Sequence, residues 1–437
     1  MTRFTARSLG MLVFAGLLAT PLSAQAIGEI VQNDTGDTAW ILTSSALVLM
    51  MTLPGLALFY GGLVRAKNVL SVALQTGAVA SIVSLLWIIV GYTLAFGDPT
   101  SGWVGNGRAW MLIELTNVRF ETTIPESAFV LFQMTFAIIA PALMIGAWVD
   151  RARFSWVVIF CALWSVVVYA PVAHWIWGGG WLASSFGTAD FAGGLVVHTT
   201  AGVSALVVAI LMGKRRAFPD KPMIPHAPVL TMVGAAMLWV GWFGFNGGSA
   251  LAATDDASSA IINTHVAAAV ASLVWLLIER IGFGKTTMVG WATGAIAGLA
   301  TITPAAGFIS PGASILFGAL ASVLCYFAVL QVRKLGIDDS LDVFAVHGVG
   351  GILGTLLLGL FISSNLGGTG FAEGMTPLGQ IGAQAMGVMV VALWSAVLTA
   401  VLALGVGLIA PMRVKKKDEI EGLDITSHGE RGWHLGD

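Results

Sequence analysis

The chain has 437 residues, of which 57% are hydrophobic and only 10% charged, and its mean hydropathy is strongly positive, which excludes the soluble globular classes. A formal charge of −2 and the lack of a basic stripe interleaved with aromatics exclude nucleic acid as a partner. The two cysteines, Cys161 and Cys325, stand apart in apolar runs, so neither a disulfide framework nor a zinc centre is expected.

Residues 1–26 begin with Arg3 and Arg7, continue through the apolar stretch "GMLVFAGLLAT" and end in the small residues "LSAQA". That is the pattern of a cleavable signal peptide, with an uncleaved anchor as the alternative. The mature chain then carries eleven apolar runs, each long enough to cross the hydrocarbon core as a helix, centred near residues 52, 82, 137, 165, 202, 235, 269, 295, 320, 352 and 395. An all-α membrane protein follows, with a transmembrane domain over residues 27–411. The last run exceeds one perpendicular crossing and is expected to tilt.

Basic residues between the runs fall at Arg65 and Lys67, Arg151 and Arg153, Lys214 to Lys221, Arg280 and Lys285, Arg333 and Lys334, and the tail from Arg413. These are alternate loops; the opposite ones hold only Arg108 and Arg119. The positive-inside rule therefore puts the tail, residues 412–437, in the cytoplasm and the mature N-terminus outside, which requires an odd number of spans. The tail is too short for an enzymatic domain and is read as a docking or regulatory segment.

Two histidines lie near the middle of their spans, His198 in the fifth and His347 in the tenth. Each follows an aspartate (Asp190, Asp342) and leads into small residues, "HTTAG" and "HGVGG". If spans one to five and six to ten form an inverted five-helix pseudo-repeat, the two rings meet at the midplane. A pore-lining pair and two separately satisfied histidines are both compatible with that pattern. His265 has no repeat partner and reads as structural. Asp190 opens the fifth span before "FAGG", either as a helix cap or as a direct cation ligand.

Phe132 and Phe136 are four apart on one helical face, Phe245 and Ser249 repeat that interval, and Trp177 ends the fourth span. Taken singly, each is equally a core, lipid-facing or interface-belt residue. No Ser/Lys, Asp/Asp or His/Glu/His constellation at membrane depth supports an intramembrane enzyme, and no nucleotide fingerprint or metal spacing implies a cofactor.

In order along the chain, "PGLALFYGGLVRAKNVLS", "FQMTFA", "GAWVDRARF", "DFAGGLVVHTTAG", "GWFGFNGGSA", "LDVFAVHGVGG" and "GLDITSHGERGWH" resemble the bacterial branch of the Amt/Mep/Rh ammonium transporters, from about residue 36 to residue 434. The resemblance implies a homotrimer of eleven-helix protomers in the bacterial inner membrane, each with its own pore. It also implies roles for residues. Trp177, Phe132 and Ser249 recruit ammonium outside; Phe136 and Phe245 form a stacked gate; His198 and His347 share a hydrogen bond below it; and Asp190 supports the recruitment site. Trp175 and Trp181 are close enough in sequence to Trp177 to compete for its place. The tail resembles one that packs on the trimer's inner face and is read by PII-type signalling proteins, with Leu423, Ile425 and Trp433 as docking residues. Other proton-coupled carriers and an ammonium sensor signalling through the tail are the competing functions.

Overall fold

A computed structural model describes residues 33–99, 102–216, 218–220 and 223–433, so the signal-peptide reading of residues 1–26 lies outside the described residues. Ten helices long and apolar enough to span a membrane are α1 Thr35–Leu63, α2 Ala66–Phe96, α3 Glu126–Trp148, α4 Phe154–Phe186, α5 Gly194–Met212, α6 Pro228–Gly248, α7 Asp255–Phe283, α9 Pro311–Lys334, α10 Phe344–Phe361 and α11 Pro377–Ile409. The shorter apolar helix α8, Met288–Ile302, completes eleven. Every predicted centre falls inside its helix, and no strand occurs among the described residues. This is a multi-pass, all-helical membrane protein.

The packing repeats after five helices. In the first half α2 packs on α3 and α4, and α3 on α1 and α5; in the second, α7 packs on α8 and α9, and α8 on α6 and α10. The halves join where α1 meets α6 and α5 meets α10. Since five is odd, equivalent helices run in opposite directions through the membrane, which makes the repeat an inverted one. The 33-residue α11 packs across α4, α5 and α10. We call the surface carrying Asn33 the N-face and the opposite one, carrying the C-terminal segment, the tail face.

Glycine sets the closest crossing. A Cβ on Gly202 of α5 would lie 2.2 Å from the Gly348 nitrogen of α10, and one on Gly351 of α10 would lie 2.8 Å from the His198 Cβ. Each glycine stands four residues after the histidine of its own helix and against the histidine segment of the other, so the absent side chains bring the two backbones together. Both helices begin with a π-helical turn, Gly194–Thr199 and Phe344–Gly348, and each turn contains the histidine. Three further π-helical turns, Met51–Gly55, Trp87–Gly91 and Ser165–Tyr169, carry no histidine, so it is the ring in each that sets these two apart.

On the tail face, the chain after α11 returns across the loop after α3: Arg153 N–H donates to Met412 O at 2.9 Å and Val414 N–H to Arg151 O at 3.0 Å. Two short helices follow, α12 Lys416–Glu421 and α13 Leu423–His428. Of the three apolar residues predicted to dock the tail, Leu423 is buried while Ile425 and Trp433 stay exposed. Carboxylate and amide hydrogen bonds carry much of the attachment instead. Asp424 accepts from the Leu70 and Ser71 N–H groups at 3.2 and 2.8 Å, capping the N-terminal turn of the helix that starts at Val69, and Asn68 accepts from Leu423 N–H.

Candidate functional site

The first backbone N–H groups of α5 are held by a carboxylate. Asp190 accepts four backbone N–H groups: Gly193 and Gly194 on Oδ1 at 2.8 and 2.7 Å, Leu195 and Val196 on Oδ2 at 2.7 and 3.1 Å. These are the orphan donors of a helix N-terminus, and with both oxygens occupied the carboxylate is a cap and not a free cation ligand. Its backbone carbonyl accepts from the Trp177 indole N–H at 2.8 Å, so the same residue also fixes that side chain of α4.

That bond separates the three candidate tryptophans. Trp177 lies edge-on to Phe136, with centroids 5.8 Å apart, and lines a cavity of about 740 Å³ on the N-face. Trp175 and Trp181 instead cluster with Trp103. Ser249 lines the same cavity, its hydroxyl donating to Phe245 O at 2.8 Å and leaving its oxygen free to accept. Phe132 is close but fully buried, its ring against Phe136 at 4.9 Å and against the backbone of Gly248.

Beneath the cavity Phe136 of α3 and Phe245 of α6 stack face to face, centroids 4.2 Å apart at 26°, both fully buried. The His198 ring lies in nearly the same orientation 6.1 Å below Phe245, and its Nδ1 is 3.3 Å from His347 Nδ1. One ring must carry the proton of that contact and the other accept it. His347 in turn lines a second cavity, of about 1050 Å³, on the tail face. Two stacked phenyl rings and two facing imidazoles therefore stand in line between cavities on opposite faces. His265 is remote from this line, exposed on α7 beside Trp239 and Phe243.

Reading the sequence missed three participants. Trp242 stacks on His198 at 5.4 Å and touches Phe245, while its indole N–H is held by Thr303 Oγ1; its place three residues before Phe245 on one helical face was the available signal. Gln133, one turn above Phe136, lines the N-face cavity. The third is a correction. The repeat partner of Asp190 is Asp339 and not Asp342, because Asp190 precedes His198 by eight residues and Asp339 precedes His347 by the same eight. Asp339 Oδ2 accepts the Phe344 N–H at 2.7 Å at the start of α10, whereas Asp342 turns to Arg333 at 2.6 Å.

A profile of the Ammonium Transporter Family matches residues 39–433 of the chain. The chain belongs to the ammonium transporter family. It is 46% identical over 432 residues to an ammonium transporter of Aquifex aeolicus, covering 98% of this chain and all of that one. Among solved structures of ammonium transporter relatives, it superposes on Mep2 of Saccharomyces cerevisiae with a TM-score of 0.83 at 32% identity, covering 94% of this chain and all of that one. It also superposes on a sensor Amt protein with a TM-score of 0.84 at 30% identity, covering 90% and 98%. Four of the motifs quoted from the sequence, "FQMTFA", "DFAGGLVVHTTAG", "GWFGFNGGSA" and "LDVFAVHGVGG", build the line of rings.

Proposed function

We propose that the N-face is external and that ammonium is recruited there by Trp177, Phe132 and Ser249, loses a proton near Phe136 and Phe245, and crosses as ammonia past His198 and His347. The observation that carries this reading is the stacked phenyl pair directly above the imidazole pair, with a cavity at either end. An aromatic face attracts ammonium by about 0.5–2 kcal/mol, weak enough to release it, and the Ser249 oxygen supplies one acceptor. A bare ion in the apolar line beneath would meet a large desolvation cost, whereas neutral ammonia meets a modest one. Potassium matches ammonium in charge and approximate size but has no N–H to direct and no proton to lose. Discrimination therefore rests on chemistry.

Family membership and the tail's contacts support the wider assignment: a homotrimer in the bacterial inner membrane with a cytoplasmic tail from residue 412 recognised by a PII-type protein; the signal peptide over residues 1–26 rests on the sequence pattern. Bilayer lipid is the remaining partner. The likeness to a sensor Amt protein favours a second reading, ammonium sensing through the same tail.

The test is an ammonium pulse on proteoliposomes, reading current and lumenal pH together, for the native protein and for the His198→Ala, His347→Ala double variant. Ammonia entry in the native protein, unaffected by excess potassium, is expected. Potassium carried as readily as ammonium would sink the reading. Current that vanishes in the double variant assigns charge transfer to the histidine pair; entry without current in either protein leaves the imidazoles to shape a neutral pore.

A further inference from the structure

The two capping aspartates are equivalent by position but not by bonding. All four N–H groups at the start of α5 converge on Asp190 and occupy both of its oxygens. Asp339 holds the Phe344 N–H through Oδ2 alone, and its Oδ1 is buried without a hydrogen-bond partner. The residue is only 5% exposed, and it lines the tail-face cavity that His347 also lines. A buried carboxylate oxygen that no protein group pairs is costly, and this one faces a cavity from which its partner must come.

The charges around it are mixed. Asp342 stands three residues on with Oδ1 likewise unpartnered, and Arg333 binds only its other oxygen. From the α3–α4 loop, Arg151 reaches the segment through Ser340 and the Asp338 carbonyl. Arg215, from the α5–α6 loop, is committed to Asp338, and Tyr60 of α1 donates its hydroxyl to Leu143 O. None of these cations binds the free Asp339 oxygen. Burial first, and then the neighbouring Asp342 charge, push the Asp339 carboxyl up to about 7, against the Phe344 and Val343 N–H groups and then Arg151. A carboxyl there exchanges its proton freely at neutral pH.

We infer that Asp339 is the proton-exchange group at the inner end of the histidine line, the station through which a proton leaving His347 reaches the tail-face cavity. This rests on the pore reading above. The proton lost by ammonium forms an N–H bond on His198 Nε2 while the His198 Nδ1–H bond breaks and an Nδ1–H bond forms on His347. The Nε2–H bond of His347 then breaks, an O–H bond forms on Asp339 Oδ1 across cavity water, and that O–H releases its proton to solvent, so that one proton enters the line for each one that leaves it. Asp190, with both oxygens occupied, cannot serve in this way at the opposite end, so the line is asymmetric for protons although the repeat is symmetric in backbone.

The experiment reads ammonium-evoked current and dye-reported ammonia entry in the same proteoliposomes, for the full-length native protein and Asp339→Asn, with lumenal pH varied from 6 to 8. Asparagine keeps an oxygen for the Phe344 N–H but cannot exchange the proton. The ratio of current to ammonia entry should fall about tenfold or more, and the remaining current should lose its dependence on inner pH. An unchanged ratio and pH profile overturn the proposal by making Asp339 a cap only. If the asparagine variant fails to insert, Asp339→Glu retains the acid and must shift the midpoint of the current–pH curve; an unshifted midpoint overturns the proposal equally. Native protein that admits ammonia without current overturns this inference and leaves the pore reading standing, whereas native protein that admits no ammonia removes the pore reading itself.

Discussion

Gly351 receives the Cβ of His198 against its own backbone: a methyl group built there would come within 2.8 Å of that carbon and 2.5 Å of the Gly194 carbonyl oxygen. His198 is therefore placed by what α10 lacks. Gly351→Ala and Gly202→Ala should each separate α5 from α10, costing roughly 1–3 kcal/mol of stability by overpacking and lowering ammonium uptake more than the stability loss accounts for. Thermal melting of the detergent-purified protein, alongside uptake per folded molecule, checks both parts. An alanine variant with native melting and native uptake contradicts the close crossing.

Asp190→Asn leaves one oxygen where four N–H groups now find two. At least one of the four loses its acceptor, at about 1.5–3 kcal/mol for each charge-assisted bond removed. Because the Asp190 carbonyl also holds Trp177, the half-saturation concentration for ammonium should rise as well. Uptake measured against concentration separates the two effects: a variant with lowered melting but unaltered half-saturation shows that Trp177 keeps its place without the cap.

The eleven spans were legible because hydrocarbon thickness fixes a helix length that hydropathy alone reveals. So were His198 and His347, since a titratable ring amid apolar residues is conspicuous. The partner of Asp190 was legible in the equal eight-residue spacing to each histidine but was obscured by the nearer Asp342; the Phe344 N–H bond to Asp339 confirms the spacing. The π-turns leave no mark in composition, and the glycines at 202 and 351 were visible only as generic small residues. In the tail, attention to apolar side chains found Leu423 and overlooked Asp424, whose role depends on a helix start more than 350 residues earlier.

Asp424→Ala removes the acceptor for Leu70 and Ser71 N–H and should cost about 1 kcal/mol, mostly in attachment of the tail. Limited proteolysis should cut residues 416–433 faster in this variant than in the native protein. Truncation from residue 419 should reduce or uncouple transport; unchanged flux in the truncated protein removes the regulatory role of the tail.

Arg215 donates to Asp338 through Nε at 3.0 Å and Nη2 at 2.7 Å, and through its own backbone N–H at 2.6 Å. Burial pushes the Asp338 carboxyl up, but the Arg215 bonds outweigh it and hold the group below the usual carboxylate range. A carboxyl depressed in the folded state contributes stability above its unfolded pKa and loses it as pH falls through the folded one. Arg215→Met should therefore cost about 3 kcal/mol at pH 7, since it leaves Asp338 only the more distant Arg151 as a cation and Asp150 only Arg65 and Asn68. The difference from the native protein should narrow as pH falls below about 4, where the unfolded chain takes up its protons first. Melting curves from pH 7 to pH 3 decide this, and a gap that widens on acidification contradicts the assignment.

The contact between His198 and His347 joins residues 149 apart in sequence. During synthesis the whole second half must be made and inserted before His198 meets its partner. Until then the fifth helix presents an imidazole and a row of glycines to lipid or to the insertion machinery, with nothing to bury them. The first five helices are thus a half whose least comfortable surface is the one the second half will cover. Biogenesis should be most vulnerable between the emergence of α5 and that of α10, and a ribosome stalled in that interval should leave a nascent chain marked for degradation by the same histidine that the finished protein uses.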